Sequence, residues 1–156
     1  MAKPHSVNLF IDGGARGNPG PAAAGVVLTD ELGKAIHQAG YFLGEATNNV
    51  AEYQGLIRGL EAARQLGASE VNVFSDSELL VRQMNGQYRV KAAHLKHLHS
   101  EASRLCRQFT QCVLSHVPRE RNVRADKLVN QAIDIKADVG QPLGPASRLG
   151  GPATLL

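Results

Sequence analysis

The chain has 156 residues, 43% of them hydrophobic and 20% charged, with a formal net charge of +3. That size fits one domain with a real core and excludes two ordinary ones, and the composition excludes disordered and fibrous classes. With no signal-peptide start and no run near the roughly 18 apolar residues of a membrane span, a cytoplasmic protein is expected.

Val7, Leu9 and Ile11 alternate with Asn8, Phe10 and Asp12, the period-two pattern of a strand, and this strand is predicted to end on Asp12. "AGVVLTD" and "GKAIHQAGYFL" flank the turn-like "DELG" and read as two more strands in a hairpin. Thr47 opens a helix whose stripe is Val50, Tyr53, Leu56, Ile57, Leu60 and Ala63, with Gly67 at its end. "VNVFSD" is a short buried strand and "SELLVRQMNG" a short helix, in which Gln83 reads as helix surface and Met84 as core. After "QYRVK" comes a helix over residues 92–109, then the strand "QCVLSHV" and the helix "NVRADKLVNQAIDIKA".

The order is βββ-α-β-α-α-β-α. Three antiparallel strands followed by helix crossovers imply an α/β fold with a mixed five-stranded sheet and helices packed on it. From Gly140 the Gly/Pro-rich "GQPLGPASRLGGPATLL" has no periodicity, so residues 1–139 are read as the folded domain and 140–156 as a tail. Cys106 and Cys112 fit neither a disulfide framework nor a zinc spacing and read as reduced thiols.

Charge is divided along the chain. Residues 1–81 hold five Lys/Arg against nine Asp/Glu, whereas 82–127 hold ten against three, with His94, His97, His99 and His116 besides. An acidic half joined to a basic half suggests a cation-binding site bridged to a polyanion.

Two predicted strands end on an aspartate, Asp12 and Asp76. As parallel neighbours they present both carboxylates at the carboxyl edge of the sheet, where open α/β folds place ligands. Two charges about 4 Å apart repel by roughly 1 kcal/mol in water and about 4 kcal/mol at an effective dielectric near 20, more than a helix cap offsets. Glu52 lies about 70° from the centre of its helix's apolar stripe, able to look along that edge. Asp126 lies near the start of the last helix. Converging carboxylates without a matching Lys leave two options, raised pKa values or a bound hard cation. Oxygen-only ligation selects Mg²⁺ or Mn²⁺, and two such ions about 3.5–4 Å apart can clamp a phosphodiester.

"IDGGARGNPGPAAAG", "TNNVAEYQGLIRGLEAA", "FSDSELLVRQMNGQYRVK" and "SHVPRERNVRADKLVNQA", in this order, resemble the type 1 ribonuclease H family over residues 6–137. The resemblance implies a monomeric, two-metal-ion endoribonuclease that cuts the RNA strand of RNA/DNA hybrids and leaves 5′-phosphate ends. Its rivals are a catalytically silent hybrid-binding module and another nuclease of the same fold. The resemblance makes Asp12, Glu52, Asp76 and Asp126 the metal-binding quartet. It assigns Gly13 and its neighbouring glycines to close approach of a nucleic-acid backbone, and Asn18, Asn48 and Asn49 to contacts with the hybrid. Thr47 is assigned to a DNA-strand phosphate. His116 stands at the separation from Asp126 at which the family keeps a loop histidine, and Arg119 is its rival for an assisting role. Glu78 departs from the family's frequent glutamine. With only "QYRVK" between two helices, the family's basic protrusion is missing, so binding is expected to rest on Arg89, Lys91 and Lys96.

Overall fold

A computed structural model describes residues 4–141. Alternating small and branched residues form β1 (Ser6–Ala15), β2 (Gly20–Thr29) and β3 (Ala35–Ala46), an antiparallel meander. Helix α1 (Asn48–Gln65) then crosses to β4 (Glu70–Ser75), which pairs parallel with β1, and α2 (Glu78–Met84) and α3 (Ala93–Cys106) lead to β5 (Gln111–His116), parallel to β4. A single 3-10 turn (Arg119–Arg121) precedes α4 (Val123–Ile135), and the two-residue β6 (Val139–Gly140) pairs antiparallel with β3. The sheet order is β5-β4-β1-β2-β3-β6.

The sheet therefore has six strands rather than the expected five. A two-residue edge strand has no periodicity to betray it, and Gly140, the first residue of the predicted tail, is half of it. Gln141 follows it against β3, its backbone N donating to the Gln38 carbonyl at 2.8 Å, and the tail beyond Gln141 lies outside the described residues. A second difference bears on the site: β1 runs three residues past Asp12, because Gly13, Gly14 and Ala15 pair with Ala24, Ala23 and Ala22 of β2. Only the parallel pairing with β4 stops short of Asp12, at Ile11 opposite Ser75.

Odd-numbered β1 side chains Val7, Leu9 and Ile11 join Val71 and Val73 of β4 under α1 and α3, with Leu56, Leu60, Ala102 and Leu105 facing them in the main core. Among the described residues the opposite face is covered by α4, through Ala125, Leu128, Val129 and Ile133 against Ala23 and Val27. Asp12 and Asp76 thus leave the sheet on the α4 side, one residue beyond the last parallel rung. Between Met84 and Ala93 no helix intervenes, so the short connection expected from "QYRVK" is what the fold contains. No helix among the described residues is long and apolar enough to cross a membrane.

Candidate metal centre and nucleic-acid cleft

Register alone places two of the carboxylates. Ser75 is the partner of Ile11 across the parallel ladder, so the next residue on each strand, Asp76 and Asp12, emerges at the same edge. The third comes from α1, whose axis is brought onto β1 by the absence of a side chain at Gly13: a Cβ there would run into the backbone of Ala51 and Glu52. Asp12, Glu52 and Asp76 each offer an oxygen within 4.8 Å of the others.

Asp126 is held by the same device on the other face. A Cβ on Gly25 of β2 would strike the carbonyl of Ala125, so the bare glycine lets the first turn of α4 settle on the sheet. Asn122, 1% exposed, fixes that turn, its Nδ2 donating to the Ile11 carbonyl at 2.8 Å and its own carbonyl accepting from Asp126 N at 3.1 Å. Asp126 lines a cleft of about 210 Å³ with Asp12, Asp76, Asn48 and Arg119, but it stands outside the tight group of three.

The electrostatics are those of a site lacking its counter-charge. Burial, then Glu52, Asp76 and Asp126 in turn, push Asp12 from the ordinary 3.8 to about 9, against the opposing hydrogen bond from the Gly13 backbone. Burial and Asp76 raise Glu52 to about 7, although Ser77, Gly13 and Asp12 hydrogen bonds oppose the rise. Glu52 Oε1 is buried with no donor among the described residues. A buried acceptor without a partner costs about 1–3 kcal/mol, and a hard cation among these oxygens would satisfy it and return the carboxylates to their charged forms. The residues present therefore fit a divalent ion.

The cleft's rim is laced together by asparagines. Asn48 Oδ1 accepts from Ala15 N at 2.8 Å and Asn18 Oδ1 accepts from Asn48 N at 3.0 Å, binding the β1–β2 turn to the start of α1. Each side chain keeps its NH₂ group, and Asn49 lines the cleft beside Glu52 and Asp76. Thr47 is the N-cap of α1, with Oγ1 accepting from Val50 N at 3.3 Å. The missing side chain of Gly13 faces α1, so its bareness serves helix seating rather than an opening toward solvent.

Other sequence-derived residues separate. Arg119 lines the carboxylate cleft and, among the described residues, makes no ion pair with Glu120. His116 ends β5 opposite Ser75 and is exposed. Arg89 and Lys96 line a different cleft, between α2 and α3, and Lys91 is exposed on the connection. Glu78 pairs with Arg82 at 2.8 Å on the helix surface. Gln83 is not surface: it is 7% exposed and accepts from the Tyr53 hydroxyl at 2.7 Å, because α2 packs that side against α1. Three residues that shape the site escaped the sequence reading. Ser77 and Asn122 carry the ordinary signal of a helix N-cap, and Arg16, on the rim with Asp134 and Asn130, carries none.

A reverse transcriptase-like family model matches residues 10–132. A bifunctional protein of Mycobacterium tuberculosis is 48% identical over 132 residues, covering 84% of this chain and 36% of that protein, so the chain spans little more than a third of its length. Ribonuclease H1 of Halobacterium salinarum superposes with a TM-score of 0.82 at 40% identity, covering 83% of this chain and 98% of that one. LC11 ribonuclease H1, isolated from compost and solved in complex with RNA/DNA hybrid, gives 0.80 at 48% identity, with coverage of 83% and 98%.

Proposed function

The chain belongs to the type 1 ribonuclease H family, and we propose on that premise that it is a metal-dependent endonuclease hydrolysing the RNA strand of RNA/DNA hybrids. The observation that carries this reading is the meeting of Asp12, Glu52 and Asp76 around a buried Glu52 oxygen that nothing among the described residues satisfies. Asp12, Glu52, Asp76 and Asp126 are the residues that would hold Mg²⁺ or Mn²⁺, two ions in our reading. When bound, such ions lower the pKa of an attacking water and stabilise the departing 3′ oxygen, leaving a 5′-phosphate on the product.

The protein's own part is placement. Asp12 and Asp76 project from paired strands, and Glu52 and Asp126 from helices seated on bare glycines, so the donors are pre-arranged and little ordering is needed on binding. The free amide groups of Asn18, Asn48 and Asn49 suit a 2′-hydroxyl, which both donates and accepts and which distinguishes RNA from DNA. The N-terminus of α1 behind Thr47 attracts phosphate. We assign Arg119, inside the cleft, to the scissile phosphate, where a guanidinium makes charge-assisted bonds. His116, at the exposed end of β5, is assigned to carrying a proton as product leaves. Arg89, Lys91 and Lys96 are assigned to backbone contacts away from the cut, which makes binding salt-dependent. We expect a cytoplasmic monomer.

The hybrid bound to LC11 ribonuclease H1 supports the same ligand here. End-labelled RNA/DNA hybrid, duplex RNA and duplex DNA, each incubated with the chain and Mg²⁺ or Mn²⁺, test the reading. Cleavage confined to the RNA of the hybrid, with 5′-phosphate ends, is expected. Binding without cleavage under either ion would instead make the chain a silent hybrid-binding module.

A further inference from the structure

Cys106 is the last residue of α3 and Cys112 the second of β5, and neither belongs to the carboxylate edge. Both are free and half-buried, and their sulfurs stand 2.8 Å apart, with the Cys112 thiol donating to Cys106. Bonded sulfurs lie roughly 2.05 Å apart, so closing the gap asks for a shift of less than about 1 Å. Both residues pack along the main core, on elements joined by a short turn, so no rearrangement of the sheet is required.

We propose that Cys106 and Cys112 form a redox-responsive dithiol that closes to an intramolecular disulfide by exchange with a low-molecular-weight disulfide, stapling α3 to β5. The Cys106 thiolate attacks one sulfur of the small disulfide, forming a mixed disulfide and releasing one small thiol. Cys112, deprotonated, then attacks the Cys106 sulfur, and the second small thiol leaves. The protein loses two protons and two electrons, which reduce the small disulfide to two thiols. Cys106 suits the first attack: the hydrogen bond from Cys112, and secondarily Arg107, hold its thiol below the usual range. The same hydrogen bond, with burial, raises Cys112, which keeps its proton until the mixed disulfide has formed. Because Cys112 sits at the start of β5 and His116 at its far end, the staple stabilises the edge of the sheet without touching the cleft.

The full chain, reduced and then incubated with oxidised glutathione, is alkylated with iodoacetamide and digested with trypsin, which cuts after Arg107 between the two cysteines. The expected product is the peptide 105–107 joined to 108–119, two hydrogens lighter than the separate pair and parted by dithiothreitol. Cys112→Ser is expected to stop at a glutathione adduct on Cys106. The oxidised parent should melt a few degrees above the reduced parent. Both cysteines carrying separate alkyl or glutathione groups in the folded parent, with no joined peptide, would overturn the proposal. Equal melting of the closed and open forms would overturn the stapling role.

Discussion

Glu52 and Tyr53 are consecutive residues of α1, and both are buried. Tyr53 donates to Gln83 at 2.7 Å and turns an edge toward His99, whose Nε2 lies 3.2 Å from the Gln83 carbonyl. Glu52 faces Asp12 and Asp76, and one of its oxygens has no partner among the described residues. A satisfied buried network rigidifies a core, whereas an unsatisfied one is a reservoir of unfavourable energy that only an added group relieves. A single helix thus carries a stabilising polar contact on one side and a ligand-demanding one on the other.

The largest effect expected from breaking this contrast is at the acidic side. Asp76→Asn should lower hybrid cleavage by more than the roughly 10–100-fold seen for residues that only support a ligand. Its melting midpoint without metal should hold or rise, because a repelling charge is gone; parental activity would undo the site assignment.

Next is the pH response of the metal-free chain. The folded state holds the Asp12 and Glu52 protons more tightly than the unfolded chain does. Their contribution to stability is therefore full below the ordinary carboxylate range and is lost as pH rises through about 7 and about 9. Asp12→Asn, lacking that titration, should gain stability relative to the parent as pH is raised from 5 to 9, read from denaturant midpoints. Saturating Mg²⁺ or Mn²⁺ should remove most of the difference by stabilising the parent.

Gly13→Ala separates the two sides mechanically. The added methyl meets the α1 backbone, so about 1–3 kcal/mol of stability should be lost by urea unfolding, and cleavage should fall with the displaced Glu52. Tyr53→Phe leaves Gln83 Oε1 without its donor and should cost about 1–3 kcal/mol at most, yet cleavage by the folded fraction should be unchanged. Smallest of all is Glu78→Gln, which restores the residue frequent in the family. Because Glu78 pairs with Arg82 at the surface, little change is expected in stability or turnover.

The carboxylates were legible because strand alternation fixes which residues share an edge and helical periodicity fixes where Glu52 points. The strand extension past Asp12 was not, since Gly13 and Gly14 read as turn residues until β2 is there to pair with them. Gln83 misled for a similar reason: its burial depends on α2 docking on α1, a contact between distant segments. Arg119 and His116, three positions apart, could be told apart only through the 3-10 turn that carries one into the cleft and leaves the other on the strand end. Glycine's role at positions 13 and 25 is likewise invisible in one dimension, where a close approach of helix to sheet and a flexible turn look alike.

The central claim is that repulsion among these carboxylates is relieved by divalent ions. Diffraction from crystals of the chain soaked in Mn²⁺, measured for anomalous signal, tests it most directly. The account predicts a peak ~2 Å from oxygens of Asp12, Glu52 and Asp76, absent in Asp76→Asn. Occupied Mn²⁺ sites elsewhere on the molecule, with no peak between these three side chains, would contradict it.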